Sequence, residues 1–164
     1  METLSNNLHA TSDRGTETGK WASWASVYLR LALGAAFLSA VADRFGIWGG
    51  PGAHLVAWGN FHNFLVYAAK LNPWLPASWV PAVGWIATLG ETAFGIALIV
   101  GYRTRIAALL SGLLLLAFAI GMTTGLGIKA PLNYSVFTAS AGAFLLAEPK
   151  TYRWSLDALR ARRG

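Results

Sequence analysis

The chain has 164 residues, of which 55% are apolar and only 12% charged, and its mean hydropathy is +0.46. An average globular domain carries about 25% charged residues, so this composition excludes an ordinary water-soluble domain. It also excludes a disordered chain, which needs low hydrophobicity and high charge. The sequence has no cysteine, which excludes disulfides, thiolate metal ligands and cysteine-ligated iron–sulfur clusters in this chain.

Four apolar segments of near-membrane length predict an all-α polytopic membrane protein, a four-helix bundle over residues 21–148. About 20 helical residues cross a hydrocarbon core of ~30 Å, and a helix satisfies its own backbone groups in lipid. The polar segment 1–20 is typical of a disordered cytoplasmic tail. The predicted spans are, in chain order, about 21–42, 79–101, 106–124 and 131–147.

A long outer loop, residues 45–78, separates the first two spans. Within it, residues 54–71 carry apolar side chains at helical spacing, between Gly50-Pro51-Gly52 and Asn72-Pro73. This pattern predicts an amphipathic helix lying on the outer face of the bundle. Its apolar stripe consists of Leu55, Trp58, Phe61, Leu65 and Ala69.

Lysine and arginine are divided unevenly between the two sides of the predicted bundle. Nine lie on the side of the termini and three on the other side, with Arg30 inside the first span. By the positive-inside rule both termini are cytoplasmic in a bacterial-type inner membrane, and 149–164 is a basic cytoplasmic tail. The same asymmetry explains the basic net charge of +6, so the expected partner is the lipid bilayer and not nucleic acid.

Glu91 lies near the middle of the second predicted span, where an isolated carboxylate is energetically unfavourable. Small residues share its helical face, so the carboxylate is predicted to point into the bundle; they are Gly84, Ala87, Thr88 and Gly95. Two interpretations stand: an ion pair that stabilises the fold, or a proton relay or ligand-binding group.

Arg30, in the first span, is the predicted partner of Glu91. Counting helical rise from the expected cytoplasmic boundary places the two residues within roughly 6 Å in depth, and pairing lowers the cost of burying both charges. Both are candidate catalytic residues. The alternative for Arg30 is a side chain that extends to the cytoplasmic interface. Asp43 and Arg44, which follow one another at the outer end of this span, are expected to be a solvated helix end.

Two further pairs of residues are candidates for binding a quinone headgroup by hydrogen bonds. The first is His62 and Asn63 in the outer loop, for which a plain interfacial histidine is the alternative. The second is Asn133 and Tyr134 at the start of the fourth span, for which an N-cap is the alternative. His54 and His62 would lie ~12 Å apart along a helix, too far to share a metal. No metal or haem is expected in this chain alone.

Five features keep a characteristic order and spacing along the chain. They are Leu29-Arg30-Leu31-Ala32-Leu33-Gly34, Asp43-Arg44-Phe45, Glu91, the glycine-basic turn Gly101-Tyr102-Arg103-Thr104-Arg105-Ile106-Ala107-Ala108 that leads into the third span, and Trp154-Ser155-Leu156-Asp157. On these features the chain resembles the DoxX-like family of small four-helix membrane proteins, which includes DoxD-like subunits. It departs from the family at Asn133-Tyr134, where an acidic residue is common.

The resemblance implies a membrane-embedded subunit of a quinone-linked oxidoreductase. In such a subunit Glu91 and Arg30 would manage protons or the quinone headgroup, and a redox partner protein would supply the electrons. The alternative is a non-enzymatic membrane scaffold or anchor for a partner protein, with the tryptophan-rich outer loop as its docking surface. A homo-oligomer is a further expected assembly.

Overall fold

A computed structural model describes the backbone of residues 2–148 and 152–161, and the side chains of 21–148 and 152–161. All regular elements in this part of the chain are helices: α1 (Glu2–Arg44), α2 (Phe61–Leu71), α3 (Val80–Val100), α4 (Thr104–Leu126), α5 (Lys129–Asn133), α6 (Val136–Leu146) and α7 (Leu156–Ala161), together with a short 3-10 helix, Ala77–Trp79, that leads into α3. Three stretches are long and apolar enough to cross a membrane, namely Trp21–Arg44, Ala77–Val100 and Thr104–Leu126. This is the architecture of a multi-pass helical membrane protein.

The backbone of the N-terminal segment differs from the expected disordered tail. It is helical from Glu2 and runs without a break into the first apolar span. Adding residues to an existing helix avoids the cost of a new nucleus, so the span can propagate helix into a polar sequence. Of the predicted basic tail, residues 149–151 and 162–164 lie outside the described residues.

The fourth predicted span, 131–147, is not one continuous helix. It is divided into α5 and α6 at Ser135, which has a left-handed φ of 54°. A non-glycine residue in that conformation interrupts the helical hydrogen-bond ladder. With 11 residues, α6 alone is about 16 Å long, roughly half of a hydrocarbon core.

Helix α1 packs antiparallel against α3 through small residues. An added Cβ on Gly34 would lie 2.9 Å from the carbonyl oxygen of Gly95, and Leu38 contacts Gly95 in turn. In the same way the ring of Phe144 on α6 lies against Gly112 on α4. Glycine is needed at these positions because close helix approach leaves no room for a side chain.

Helix α2 crosses one end of the bundle, which we call the α2 end. Leu65 contacts Gly84 on α3, and Leu71 contacts Gly125 on α4. The helix begins after Asn60, whose side chain accepts a hydrogen bond from the backbone N–H of Asn63.

The extent and the buried face of α2 differ from the prediction of a helix over 54–71. Residues before Phe61 form an irregular loop, and Leu55 is 91% exposed instead of belonging to an apolar stripe. The buried residues of α2 are Phe64 and Ala68. The predicted stripe continued helical spacing through the loop, where Gly59 at a φ of 68° turns the chain.

The opposite end of the bundle, which we call the turn end, is closed by a C-terminal clasp, residues 152–157. The Asp157 carboxylate accepts hydrogen bonds from the backbone N–H of Arg103 (2.9 Å) and from the backbone N–H and hydroxyl of Thr104 (2.8 Å each). The N–H of Asp157 donates to the carbonyl of Gly101. An N-terminal cap for α4 is thereby supplied from about 50 residues away in sequence.

Close packing at Gly125 generates the first prediction. A Cβ at Gly125 would overlap the backbone of Lys70 and Leu71, whereas a Cβ at Gly90 would make ordinary contacts with Phe94 and Leu114. Gly125→Ala should therefore lower the free energy of unfolding by about 1–3 kcal/mol, because backbone cannot yield as a side chain can. Gly90→Ala, the matched control, should leave it unchanged or raise it by up to about 1 kcal/mol. Thermal melting in mild detergent measures both; equal effects would contradict this account of α2 packing.

The second prediction concerns the clasp and pH. Burial by itself raises the pKa of Asp157, but the hydrogen bonds from Thr104 and Arg103 outweigh burial and hold the pKa below its usual 3.8. Because the folded-state pKa is depressed, Asp157 stabilises the fold at neutral pH, and this stabilisation disappears as the pH falls through the folded-state value. Asp157→Ala should therefore melt at a lower temperature than the native chain at pH 7, and the gap should narrow below about pH 4.

Glu148→Gln provides a control for the pH series, since Glu148 is an exposed carboxylate outside the clasp. Its melting temperature should follow that of the native chain across the series. A gap between Asp157→Ala and the native chain that stays constant down to pH 2 would show that the Asp157 charge does not matter.

Candidate functional site

The site is built around a buried ion pair between Arg44, the last residue of α1, and Glu91 on α3. Both residues are 2% exposed. Arg44 Nη1 lies 2.5 Å from Glu91 Oε2, and Arg44 Nη2 donates a hydrogen bond of 2.9 Å to Glu91 Oε1. Nη1 also donates to the hydroxyl of Thr88 at 2.8 Å. The two charges therefore neutralise each other inside the apolar bundle, and the guanidinium is fixed from two positions on α3.

Helix periodicity explains why Thr88 and Glu91 meet the same arginine. Residues three apart share one face of a helix, and here that face points toward α1. The small residues predicted around Glu91 do line the buried side of α3: Gly84, Ala87, Thr88 and Gly95 are all buried. The prediction that the Glu91 side chain points into the bundle agrees with this packing.

Asp43 and Arg44 are not a solvated helix end, contrary to expectation; Asp43 is 7% exposed. The Asp43 carboxylate accepts three backbone hydrogen bonds, from Ala57 (2.8 Å), Trp58 (2.8 Å) and Gly59 (3.0 Å). The adjacent residues face different partners, as neighbours on a helix must. Asp43 holds the loop and Arg44 holds α3, so the chain after α1 is fixed from both sides.

An aromatic cluster surrounds the Arg44 guanidinium. Its carbon Cζ lies 3.8 Å from the ring centre of Phe64 and 5.4 Å from that of Trp58. Such cation–π contacts are stronger where the charge is desolvated, as it is here. Further rings extend the cluster to the surface of the bundle, where Phe45 and Trp85 are 49% and 46% exposed. The cluster consists of Phe45, Trp58, Phe61, Phe64, Tyr67 and Trp85.

Two buried polar atoms of the pair make no hydrogen bond within the described residues. They are Arg44 Nε, a donor, and Glu91 Oε2, an acceptor. Oε2 is in ion-pair contact with Nη1, yet this contact lacks the geometry of a hydrogen bond. Unsatisfied buried polar groups are rare in folded proteins and are found at functional sites. Arg44 Nε is thus a buried donor without a partner, and Glu91 Oε2 is a buried acceptor partnered only by the charge of Nη1.

Arg30 is not the partner of Glu91, contrary to prediction. Its guanidinium lies at the turn end, where Nη2 donates to the carbonyl of Trp154 (2.5 Å) and Nη1 to that of Arg153 (3.3 Å). The depth estimate was wrong because it placed the bundle boundary at Trp24. In the structure Arg30 is level with Gly101, where α3 ends. Arg30 therefore positions the C-terminal clasp.

The residues predicted to bind quinone lie on the surface or serve the backbone. His62 is exposed on the first turn of α2, and the side chain of Asn63 donates to the carbonyl of Trp58. Asn133 and Tyr134 are exposed at the break between α5 and α6. None of these four side chains forms a hydrogen bond with the Arg44–Glu91 pair in the described part of the chain. That part also contains no group of three or more His, Asp or Glu placed to hold a metal ion.

Sequence reasoning missed Arg44 and Asp43 as site residues. Their position in the sequence could have identified them. Both charged residues lie at the end of an apolar span, where each charge needs a partner. Thr88 was named only as a small neighbour of Glu91, since nothing in the sequence identified the donor to its hydroxyl.

Comparison with known proteins finds no match: no family model, no curated protein and no solved structure matches this chain. The resemblance to DoxX-like proteins therefore rests on the short features quoted from the sequence. In the structure those features gather in two places. Asp43-Arg44 meets Glu91 near the α2 end, and Arg30 meets Gly101 and Trp154 at the turn end.

The third prediction separates the true partner of Glu91 from the expected one. Glu91→Gln should lower the free energy of unfolding by about 3–5 kcal/mol, because it leaves Arg44 charged and buried without a counter-ion. When Arg44→Gln is combined with Glu91→Gln, part of the lost free energy of unfolding should be restored. When Arg30→Gln is combined with Glu91→Gln, the losses caused by the two substitutions should simply add. Melting temperatures in detergent for the two double-mutant cycles give the coupling energies. A coupling between Glu91 and Arg30 as large as that between Glu91 and Arg44 would contradict the assignment.

Proposed function

We propose that this protein is a DoxX-like, membrane-embedded subunit of a quinone-linked oxidoreductase, and that the quinone headgroup binds at the Arg44–Glu91 pair. The observation that carries the proposal is the pair of unsatisfied buried atoms, the donor Arg44 Nε and the acceptor Glu91 Oε2. A quinone carbonyl accepts a hydrogen bond, and a quinol hydroxyl donates one. The two atoms match both forms of the headgroup.

The surroundings of the pair also suit a quinone. The aromatic cluster provides flat apolar faces of the kind that pack against a planar ring. Trp85, which is half-exposed and lies within the candidate span Ala77–Val100, would face the hydrocarbon, and the half-exposed Phe45 packs beside it. A lipid-soluble quinone would enter from that side and meet the ion pair behind it.

A bound quinone would supply a two-electron acceptor that takes up two protons. The residues of this chain would bind and orient its headgroup: Arg44 Nε would donate a hydrogen bond to a carbonyl oxygen of the quinone, and Glu91 Oε2 would accept a hydrogen bond from a hydroxyl group of the quinol. The chain has no cysteine, so electrons would come from a redox partner protein. Arg30, expected beside Glu91, has no place in this site and takes the role of positioning the clasp.

We also propose how the helices are placed in the membrane. Together α5 and α6 would complete a fourth crossing, and α2 would lie at the outer face of a bacterial-type inner membrane. Both termini would then be cytoplasmic, on the side of the arginines at the turn end.

A membrane scaffold or anchor is the second candidate function. The observation that favours it is the set of exposed apolar side chains on the loop after α1, namely Ile47, Trp48 and Leu55. Leu55 also has a left-handed φ of 62°, a backbone conformation that is unfavourable for a residue other than glycine. This surface would dock a partner protein without any chemistry at the ion pair.

The fourth prediction tests the quinone proposal by purification and binding. The native chain, purified in mild detergent, should retain quinone detectable by mass spectrometry and should bind added decyl-ubiquinone with saturation. The Arg44→Gln/Glu91→Gln double variant removes both charges but keeps hydrogen-bonding amides, so it should fold. It should bind decyl-ubiquinone at least about tenfold more weakly than the native chain, which corresponds to a loss of ~1.4 kcal/mol of binding free energy.

Glu148→Gln serves as the matched control, since it removes an exposed carboxylate away from the pair, and it should bind quinone as the native chain does. Equal quinone binding by the folded double variant would refute the site. A stable partner complex that contains no quinone and needs no ion pair would favour the scaffold.

A further inference from the structure

We propose that the turn end holds a binding site for an anionic phospholipid, with the headgroup phosphate between Arg103 and Arg160. The proposal does not depend on the quinone site, which lies at the other end of α1. It starts from an arrangement of guanidinium groups and aromatic rings that the fold brings together from three separate segments.

Two arginines converge on one tyrosine. The Cζ atoms of Arg160 and Arg103 lie 4.8 Å and 5.9 Å from the ring centre of Tyr102, although the two arginines are far apart in sequence. Both arginines are exposed, and neither forms an ion pair with another described side chain. Two positive charges that contact the same ring repel each other, so an anion close to both is favourable.

The nearest described carboxylate does not fill that role. Asp157 lies close enough to Arg160 to sense its charge. Its oxygens, however, already accept hydrogen bonds from the backbone of Arg103 and from Thr104 as the cap of α4. The carboxylate is committed to the clasp, and the two guanidinium groups keep their donors for another anion.

A second basic and aromatic group lies beside the first. Arg153 Cζ is 5.3 Å from the ring centre of Trp24, and the rings of Trp24 and Trp154 meet edge to face at 5.4 Å. Trp154 is 70% exposed and its φ of 50° is left-handed. Tryptophan with one face apolar and one N–H free is favoured at the headgroup level of a bilayer.

A buried charge behind this surface, that of Arg30, adds to its positive potential, and the nearby Asp157 carboxylate offsets part of it. Arg30 is 2% exposed, and in the described structure its hydrogen bonds go only to the carbonyl groups of Arg153 and Trp154. Its Nε atom has no hydrogen-bond partner there. In a region of low dielectric the field of such a cation extends further than it would in water.

The surroundings indicate a lipid and not a soluble anion. Immediately next to Arg103 and Arg105, the exposed flank of α4 is apolar and carries Ile106, Leu109 and Leu110. A molecule that has a phosphate at one end and acyl chains at the other fits both parts of this surface. Basic residues at a membrane surface attract anionic lipid by ~1 kcal/mol each.

The test compares lipid retention by native mass spectrometry. The full chain in mild detergent is mixed with phosphatidylglycerol and phosphatidylcholine of identical acyl chains. The native chain should retain phosphatidylglycerol in preference. Arg103→Gln/Arg160→Gln should bind phosphatidylglycerol about tenfold to thirtyfold more weakly, the effect expected from two basic residues. Lys70→Gln/Lys129→Gln, which removes the same charge at the α2 end, should bind it as the native chain does.

Three results would overturn the site. The first is equal retention of the two lipids by the native chain. The second is an equal loss of phosphatidylglycerol in both double variants. The third is full displacement of phosphatidylglycerol by millimolar inorganic phosphate, which would identify a simple anion site. If Arg103→Gln/Arg160→Gln does not fold, Arg103→Lys/Arg160→Lys replaces it. That variant keeps the charge but loses the planar guanidinium, so it should retain part of the phosphatidylglycerol preference.

Discussion

A carboxylate inside an apolar bundle needs a counter-ion, and the arrangement around Glu91 follows from that constraint. Arg44 meets it with both terminal nitrogens, which fixes where α1 ends relative to α3. The adjacent Asp43 binds the loop backbone, and the ring of Phe64 on α2 covers the guanidinium. The ion pair thus joins two spans and the helix across the α2 end, and the neighbouring Asp43 adds the loop. Breaking it would leave a charge in a medium that cannot solvate it.

The two ends of the bundle are held by polar contacts and the middle by close packing. At the turn end, Arg30 and Asp157 bind backbone groups, so the C-terminal clasp closes the turn between α3 and α4. Between the ends, glycines such as Gly34 and Gly112 let the helices approach. In lipid the hydrophobic effect does not bring helices together, so packing and buried polar contacts must do so.

The same ion pair carries the hydrogen-bonding groups on which the proposed quinone site depends. The pair is balanced in charge but incomplete in hydrogen bonding, because Arg44 Nε and Glu91 Oε2 make no hydrogen bond in the described structure, and Oε2 is held only by its ion-pair contact with Nη1. A purely structural pair is stabilised by satisfying every donor and acceptor. Leaving one of each unsatisfied beside an aromatic cluster is the arrangement on which the proposed quinone site depends.

The sequence by itself determined the class of the protein and the burial of Glu91. Apolar length and low charge predict membrane-spanning helices, and the small residues around Glu91 predict a carboxylate that faces the bundle. Only the tertiary structure decided that Arg44, and not Arg30, is its counter-ion. Pairing depends on where α1 ends relative to α3. Helical rise counted from Trp24, when Arg30 is the residue level with Gly101, misplaces that end by roughly 9 Å, which is less than two turns. The break at Ser135 and the irregular loop before α2 were also decided by the packed backbone, since apolar spacing runs through both without interruption.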